Sequence, residues 1–189
     1  LSALRVWNDP VATFRTESFS LHLVTAWNSL ALALLQKSGL EWRDLEEDGS
    51  PRLMFGVEKA RGTADLIVDA FPGVNHQGLR QNIEFWLKLR NRVAHRHLAA
   101  LDLIVIPHAQ ASLLNFETQL EAEFGADYQL AGALSVPLQL SGFRDPGVLG
   151  SLKKLQRSLP IDVQAFLADV SGQDPGLLAD PTFKVNVDP

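Results

Sequence analysis

The sequence predicts a mostly α-helical bundle with additional C-terminal helices, and three observations carry that prediction. Apolar residues recur at intervals of three, four and seven over long stretches around Phe19–Leu35, Leu79–Ala94 and Ala109–Phe124, the spacing of one helix face. Glycine and proline gather between those stretches, at Gly49-Ser50-Pro51, at Pro72-Gly73 and from Gly125 to Pro146, where they punctuate helices. A single segment near the end, Phe183-Lys184-Val185-Asn186-Val187, alternates apolar and polar residues as a strand does.

The elements follow in order. Residues 1–15 give mixed signals around the turn Asn8-Asp9-Pro10. A helix is expected from a cap at Thr16 or Ser18 to about Lys37, with Gly39 as its stop. Phe19, Leu23, Ala26, Trp27, Leu30, Ala31, Leu34 and Leu35 give it a wide apolar surface, which places it centrally. Its most apolar part, Leu21 to Leu35, is too short to span a bilayer and carries His22, Thr25, Asn28 and Ser29. It is read as a buried core helix, and no membrane association is expected.

Residues 40–52 read as a loop whose acids, Glu41, Asp44, Glu46, Glu47 and Asp48, are solvated charge. A second helix is expected within 53–71, with Gly56 and Gly62 weakening its start. Asn75 caps a third helix running from about Gln77 to Arg96. The apolar run Leu98 to Ile106 continues the helical pattern, and Pro107 either begins the next helix, up to Gly125, or kinks one already under way. Beyond the connector at 125–146, helices are expected at Val148–Leu159 and Pro160–Val170, the latter capped by Ser158. Phe183–Val187 is a short terminal strand that needs a partner, since a lone strand leaves its backbone unpaired. The organisation expected is a bundle core over 1–125 and a C-terminal helical extension over 126–189 packed on the same domain.

Composition narrows the chemistry. Hydrophobic content of 46% and charged content of 21% are those of an ordinary globular domain. The net charge of −5 and pI near 5.5 argue against wholesale coating of nucleic acid. With no cysteine, the chain has no disulfide framework, no thiolate metal site and no thiol nucleophile. The N-terminus lacks a basic region, apolar run and small-residue cleavage site, so a cytoplasmic location is expected. No Gly-rich phosphate loop and no Gly-x-Ser-x-Gly elbow is present. His95 and His97 lack a third ligand at matching helical spacing, so neither a metal nor another cofactor is expected.

Against this acidic background one stretch stands out, Leu89-Arg90-Asn91-Arg92-Val93-Ala94-His95-Arg96-His97. Five of the 17 Lys and Arg residues fall between Arg80 and Arg96, with Glu84 the only acid among them. Such a local excess suggests an anionic partner. Glu84, Lys88, Asn91 and His95 line up as a polar stripe, whereas Arg90 falls on the apolar face. A guanidinium there needs a carboxylate, carbonyls or a subunit boundary. Glu17, in the first turn of the central helix, reads either as a helix-dipole carboxylate or as the partner of Arg90.

The pattern Arg90-Asn91-x-x-x-His95 resembles the Arg-x(4–6)-His signature of HEPN domains. Phe14-Arg15-Thr16-Glu17-Ser18-Phe19 with Ala26-Trp27, Leu113-Leu114-Asn115-Phe116-Glu117 before Phe124-Gly125, and Leu159-Pro160 before Val163 and Phe166-Leu167 resemble an HEPN-like family of unknown function. The resemblance covers roughly Trp7 to Pro189. It implies an HEPN-like bundle, a homodimer with its site at the two-fold interface, and metal-independent cleavage of RNA to a 2′,3′-cyclic phosphate and a 5′-hydroxyl. It also implies a setting in defence or stress response, with an inhibitory protein as a further partner.

The residue chemistry fits RNA, which carries its own nucleophile in the 2′-OH. A histidine titrating near neutrality suits general acid or base work, here His95. An arginine fixed in a dry site suits charge developing on phosphoryl oxygens, here Arg90, with Asn91 as positioner. Lys88, Arg92, Arg96 and His97 are the substrate-binding candidates. Lys153, Lys154 and Arg157 read as a solvated helix face. The rival expectation is a non-catalytic dimerisation module that binds RNA or protein and regulates a partner.

Overall fold

Two helices make the frame because they carry the widest apolar faces. Helices α2 (Arg15–Lys37) and α4 (Gln77–Val93) pack together. Phe19, Leu23 and Trp27 of α2 and Ile83, Trp86 and Leu89 of α4 are buried. The protein is seen in a computed structural model that describes residues 1–9, 11–93, 96, 98–128, 130 and 153–185. Around the frame lie α1 (Ser2–Asn8), α3 (Thr63–Ala70), α5 (Leu101–Ile104) and α6 (Ile106–Phe124). Residues 153–158 are helical (α7), followed by α8 (Ile161–Ser171) and α9 (Pro175–Ala179). The fold is mostly α, as its apolar periodicity predicts.

The core is aromatic and polar-stitched. Phe19 meets Trp86 edge-on at 5.1 Å, and Trp27 meets Phe116 at 5.0 Å. The buried Trp27 indole N–H donates to Ser112 Oγ at 2.9 Å, so its polar handle is satisfied. Leu159, Val163, Phe166, Leu167, Leu177 and Phe183 join the same buried cluster as α2 and α4. By length and composition α2 could cross a membrane, with a mean hydropathy of 1.4 over an 18-residue window. In this structure half of that window is buried, and the burial belongs to the core.

Several boundaries differ from the sequence expectation, each for a visible reason. Neither Thr16 nor Ser18 caps α2, which begins after Phe14 with no side-chain cap of its own. The capping acceptor comes from far along the chain: Asp102 Oδ1 accepts from the Thr16 amide at 3.2 Å and from its hydroxyl at 2.6 Å. Residues 53–58 form a hairpin, β1 (Leu53–Met54) and β2 (Val57–Glu58), antiparallel with Leu53 opposite Glu58. Its two-residue turn needs positive φ at both positions, supplied by Phe55 (53°) and Gly56 (83°). Asn75 lies within a short 3-10 turn, Val74–His76, that leads straight into α4. Pro107 sits in the first turn of α6, where its missing N–H costs nothing. Ser158 donates to the Leu155 carbonyl rather than capping α8, whose N-cap is Pro160.

The terminal strand is not formed over 183–185. Residues 181–183 make a turn, Phe183 is buried, and the Val185 amide donates to the Pro107 carbonyl at 3.0 Å. Asn186 and Val187 lie outside the described residues, as does most of the 125–146 connector. Side chains draw this C-terminal segment across α4 and α6. Asn82 donates to the Phe183 and His108 carbonyls at 2.7 and 2.9 Å, and Asn115 donates to the Thr182 carbonyl at 2.7 Å. Gly78 of α4 permits the approach, because a Cβ there would collide with the Asp180 and Thr182 side chains. Helix α9, absent from the sequence reading, begins at a regular signal: Asp174 accepts from the Gly176 and Leu177 amides ahead of Pro175.

Candidate functional site

The basic end of α4 is built by the helix it terminates. Arg90 and Arg92 stand in its last turn, where cations complement the helix dipole. The helix is described to Val93; Arg96, where the sequence expectation ended it, lies outside it, and the Arg96 amide bonds back to the Val93 carbonyl at 2.9 Å. Val93 is fully buried, so this end is fixed in the core.

Arg90 is half-buried and Asn91 exposed. The guanidinium donates Nε–H and Nη2–H to the Asn91 side-chain oxygen at 3.2 and 3.0 Å. Among the described residues Arg90 makes no ion pair. Because the Asn91 oxygen is spent on Arg90, its amide nitrogen is left as a donor. Together they form a donor-rich edge, the arrangement that suits an oxyanion.

The Glu17–Arg90 pairing offered by the sequence is corrected. The Glu17 carboxylate is 8% exposed and accepts the Leu98 amide at 2.8 Å. It thereby ties the chain beyond the basic stretch to the first turn of α2. Asp102 does the same four residues later, through Thr16 and more loosely through Arg15 at 3.9 Å. The stretch between Val93 and Leu98 is therefore held at both ends. His95 and His97 lie outside the described residues.

The other substrate-binding candidates are engaged within the chain. Lys88 pairs with Glu84 at 2.6 Å, an exposed i,i+4 pair of small worth. Arg92 donates to the Lys88 carbonyl at 2.9 Å and lays its guanidinium over the Phe166 ring at 4.6 Å. Arg96 donates Nη1–H to both Asp162 oxygens at 2.8 Å, and that contact holds the Asp162 carboxyl below its usual range. Arg92 meets Phe166 and Arg96 meets Asp162, so α8 is docked onto the end of α4.

Sequence reasoning missed Asp102, Asp162 and Phe166. Their partners lie between 66 and 86 residues away for the hydrogen bonds, and no local pattern announces such contacts. It also passed over His108, a buried imidazole stacked on Phe85 at 4.1 Å. Burial pushes its pKa down to about 4, so it is neutral at physiological pH and serves as a core group. Among the described residues no group of three His, Cys, Asp or Glu is placed to hold a metal ion. A family model described as "Domain of unknown function (DUF3644)" matches residues 1–173. No curated protein and no solved structure matches the chain.

Proposed function

This chain belongs to the DUF3644 family, and we propose that it is a metal-independent endoribonuclease of HEPN type, acting as a homodimer in the cytoplasm. The observation that supports the reading is the Arg90 guanidinium in the last turn of α4, whose acceptor among the described residues is a neutral amide oxygen. A cation so placed retains its full attraction for an anionic ligand, and the planar fork matches phosphoryl oxygens.

On this reading His95, four residues beyond Asn91, takes the proton from the RNA 2′-OH as that oxygen attacks phosphorus. Arg90 and the Asn91 amide stabilise charge on the non-bridging oxygens of the crowded transition state. The bond from phosphorus to the 5′-oxygen breaks, and that oxygen leaves with a proton from a second acid. An isologous dimer supplies the second acid as the same histidine of the other copy. Products are a 2′,3′-cyclic phosphate and a 5′-hydroxyl. The setting, defence or stress response under an inhibitory protein partner, follows from the HEPN resemblance alone.

The internal engagement of Lys88, Arg92 and Arg96 favours a second reading, a non-catalytic module that binds RNA or protein and regulates a partner. The test is RNA cleavage in excess EDTA by wild type, Arg90→Ala and His95→Ala, with folding followed by circular dichroism and assembly by sedimentation. Cleavage by wild type that falls by about 10²-fold or more in each folded variant is the expected result. A folded wild-type dimer that cleaves none of several RNAs would transfer the case to the regulatory module.

A further inference from the structure

We infer that the groove between α7 and α8 is a phosphate-binding track for single-stranded RNA, separate from the α4 terminus. Its ligand class rests on the ribonuclease reading; its location rests on the counter-charges of the molecule. Lys37, Arg43, Arg52, Lys59, Arg61, Lys88 and Arg96 each have a carboxylate within 4.0 Å. Lys153, Lys154 and Arg157 have none among the described residues, as is true of Arg5, Arg80, Arg90, Arg92 and Lys184, but the three of α7 stand on a helix that walls a groove. These three cations share little more than one turn of α7, in a chain of net charge −5.

Lys153 and Arg157 open onto a groove of about 370 Å³, walled also by Gln156 of α7 and by Gln164, Ala165 and Ala168 of α8. Among the described residues no carboxylate lines it. Of the two acids of α8, Asp162 is held by Arg96, and Asp169 lines the opposite, α4-facing side of the helix with Lys88 and Phe166.

The remaining lining chemistry suits a nucleotide. Gln164 donates through Nε2 to the Arg157 and Leu159 carbonyls at 3.0 and 2.7 Å, which fixes α8 against the end of α7. Its amide oxygen has no partner among the described residues and suits a 2′-OH or a base amine as an acceptor. Ile161, at the groove's edge, is 80% exposed and offers an apolar surface to a base. Two cations without a carboxylate partner among the described residues, amide groups and one apolar residue fit a flexible phosphodiester strand.

The experiment is a salt titration of binding to a fluorescein-labelled single-stranded 2′-O-methyl RNA, which has no free 2′-OH and so resists the proposed cleavage, read by anisotropy in EDTA. It compares wild type, Lys153→Ala/Arg157→Ala, and Arg5→Ala as an exposed cation on the distant α1. Loss of two phosphate contacts lowers the slope of log K against log salt by about 1.4 and weakens binding about tenfold at moderate salt. Arg5→Ala is expected to leave both unchanged. If wild type binds RNA and the double variant keeps its slope, or if Arg5→Ala loses as much, the groove assignment is overturned while the ribonuclease reading stands. If wild type binds no RNA even at about 50 mM salt, where phosphate contacts are strong, both fall together.

Discussion

Acid should loosen this protein through one buried imidazole, and the effect has a definite sign and size. His108 is 8% exposed, lies parallel to Phe85 with the planes 16° apart, and meets Phe183 edge-on at 4.9 Å. Its Nδ1–H donates to the Phe183 carbonyl at 3.3 Å, which the neutral ring can do. Burial is the main cause that lowers its pKa from 6.5 to about 4; Lys184 adds to the depression and the Phe183 carbonyl opposes it. The unfolded chain therefore takes up the proton first. Stability from the neutral ring is present in full above about pH 6.5 and is lost as pH falls to about 4. The gap of about 2.5 pH units corresponds to about 3 kcal/mol.

Urea unfolding of wild type and His108→Phe, followed by circular dichroism from about pH 7.5 to pH 4, isolates that contribution. Phenylalanine preserves the stacking on Phe85 but cannot titrate, and the carboxylates common to both proteins cancel in the comparison. Wild type should lose about 3 kcal/mol more than the variant across the range. Nitrogen-15 spectra of the imidazole should show a neutral ring down to about pH 4. Parallel pH profiles for the two proteins, or an imidazole that titrates at 6.5 or above, would refute the reasoning.

Two further substitutions test the contacts that position the basic end of α4. Asp102→Ala strips the acceptor from the buried Thr16 amide and hydroxyl, and should cost about 1–3 kcal/mol in urea unfolding; a loss below about 0.5 kcal/mol would mean that water caps α2 instead. Gly78→Ala gains helix propensity worth about 1 kcal/mol but forces Asp180 and Thr182 aside, so it should be destabilising and should raise amide exchange at 180–185. A stabilised Gly78→Ala with unchanged exchange would show that the C-terminal segment shifts at no cost.

What was legible in the sequence is what periodicity writes locally. The apolar stripes of α2, α4 and α6 were readable because each repeats over several turns, and the hydrophobic effect enforces the repeat. The hairpin at 53–58 was not, since its residues are exposed and its turn is made by Phe55, a residue that seldom adopts positive φ. The alternation of Phe183, Lys184 and Val185 suggested a strand, but packing on His108 and pairing with Pro107 overrode it. At the candidate site the adjacent pair Arg90 and Asn91 was visible as a motif. The fates of Glu17, Arg92 and Arg96 were not, because carboxylates and rings many residues away decide them.

Among the described residues Lys88 is the cation of α4 with a carboxylate partner, whereas Arg80, Arg90 and Arg92 bond neutral oxygens. Lys88 has Glu84, Arg96 has Asp162, and Arg92 has a carbonyl and an aromatic face. Glu17, the acid the sequence offered to Arg90, is consumed by the Leu98 amide instead. Partial burial of a guanidinium without an acid costs desolvation, and the C-terminal dipole of α4 offsets only part of it. The Glu17 contact with the Leu98 amide fixes the far end of the stretch carrying His95, which is why loss of Glu17 should disturb that stretch more than its distance along the chain suggests.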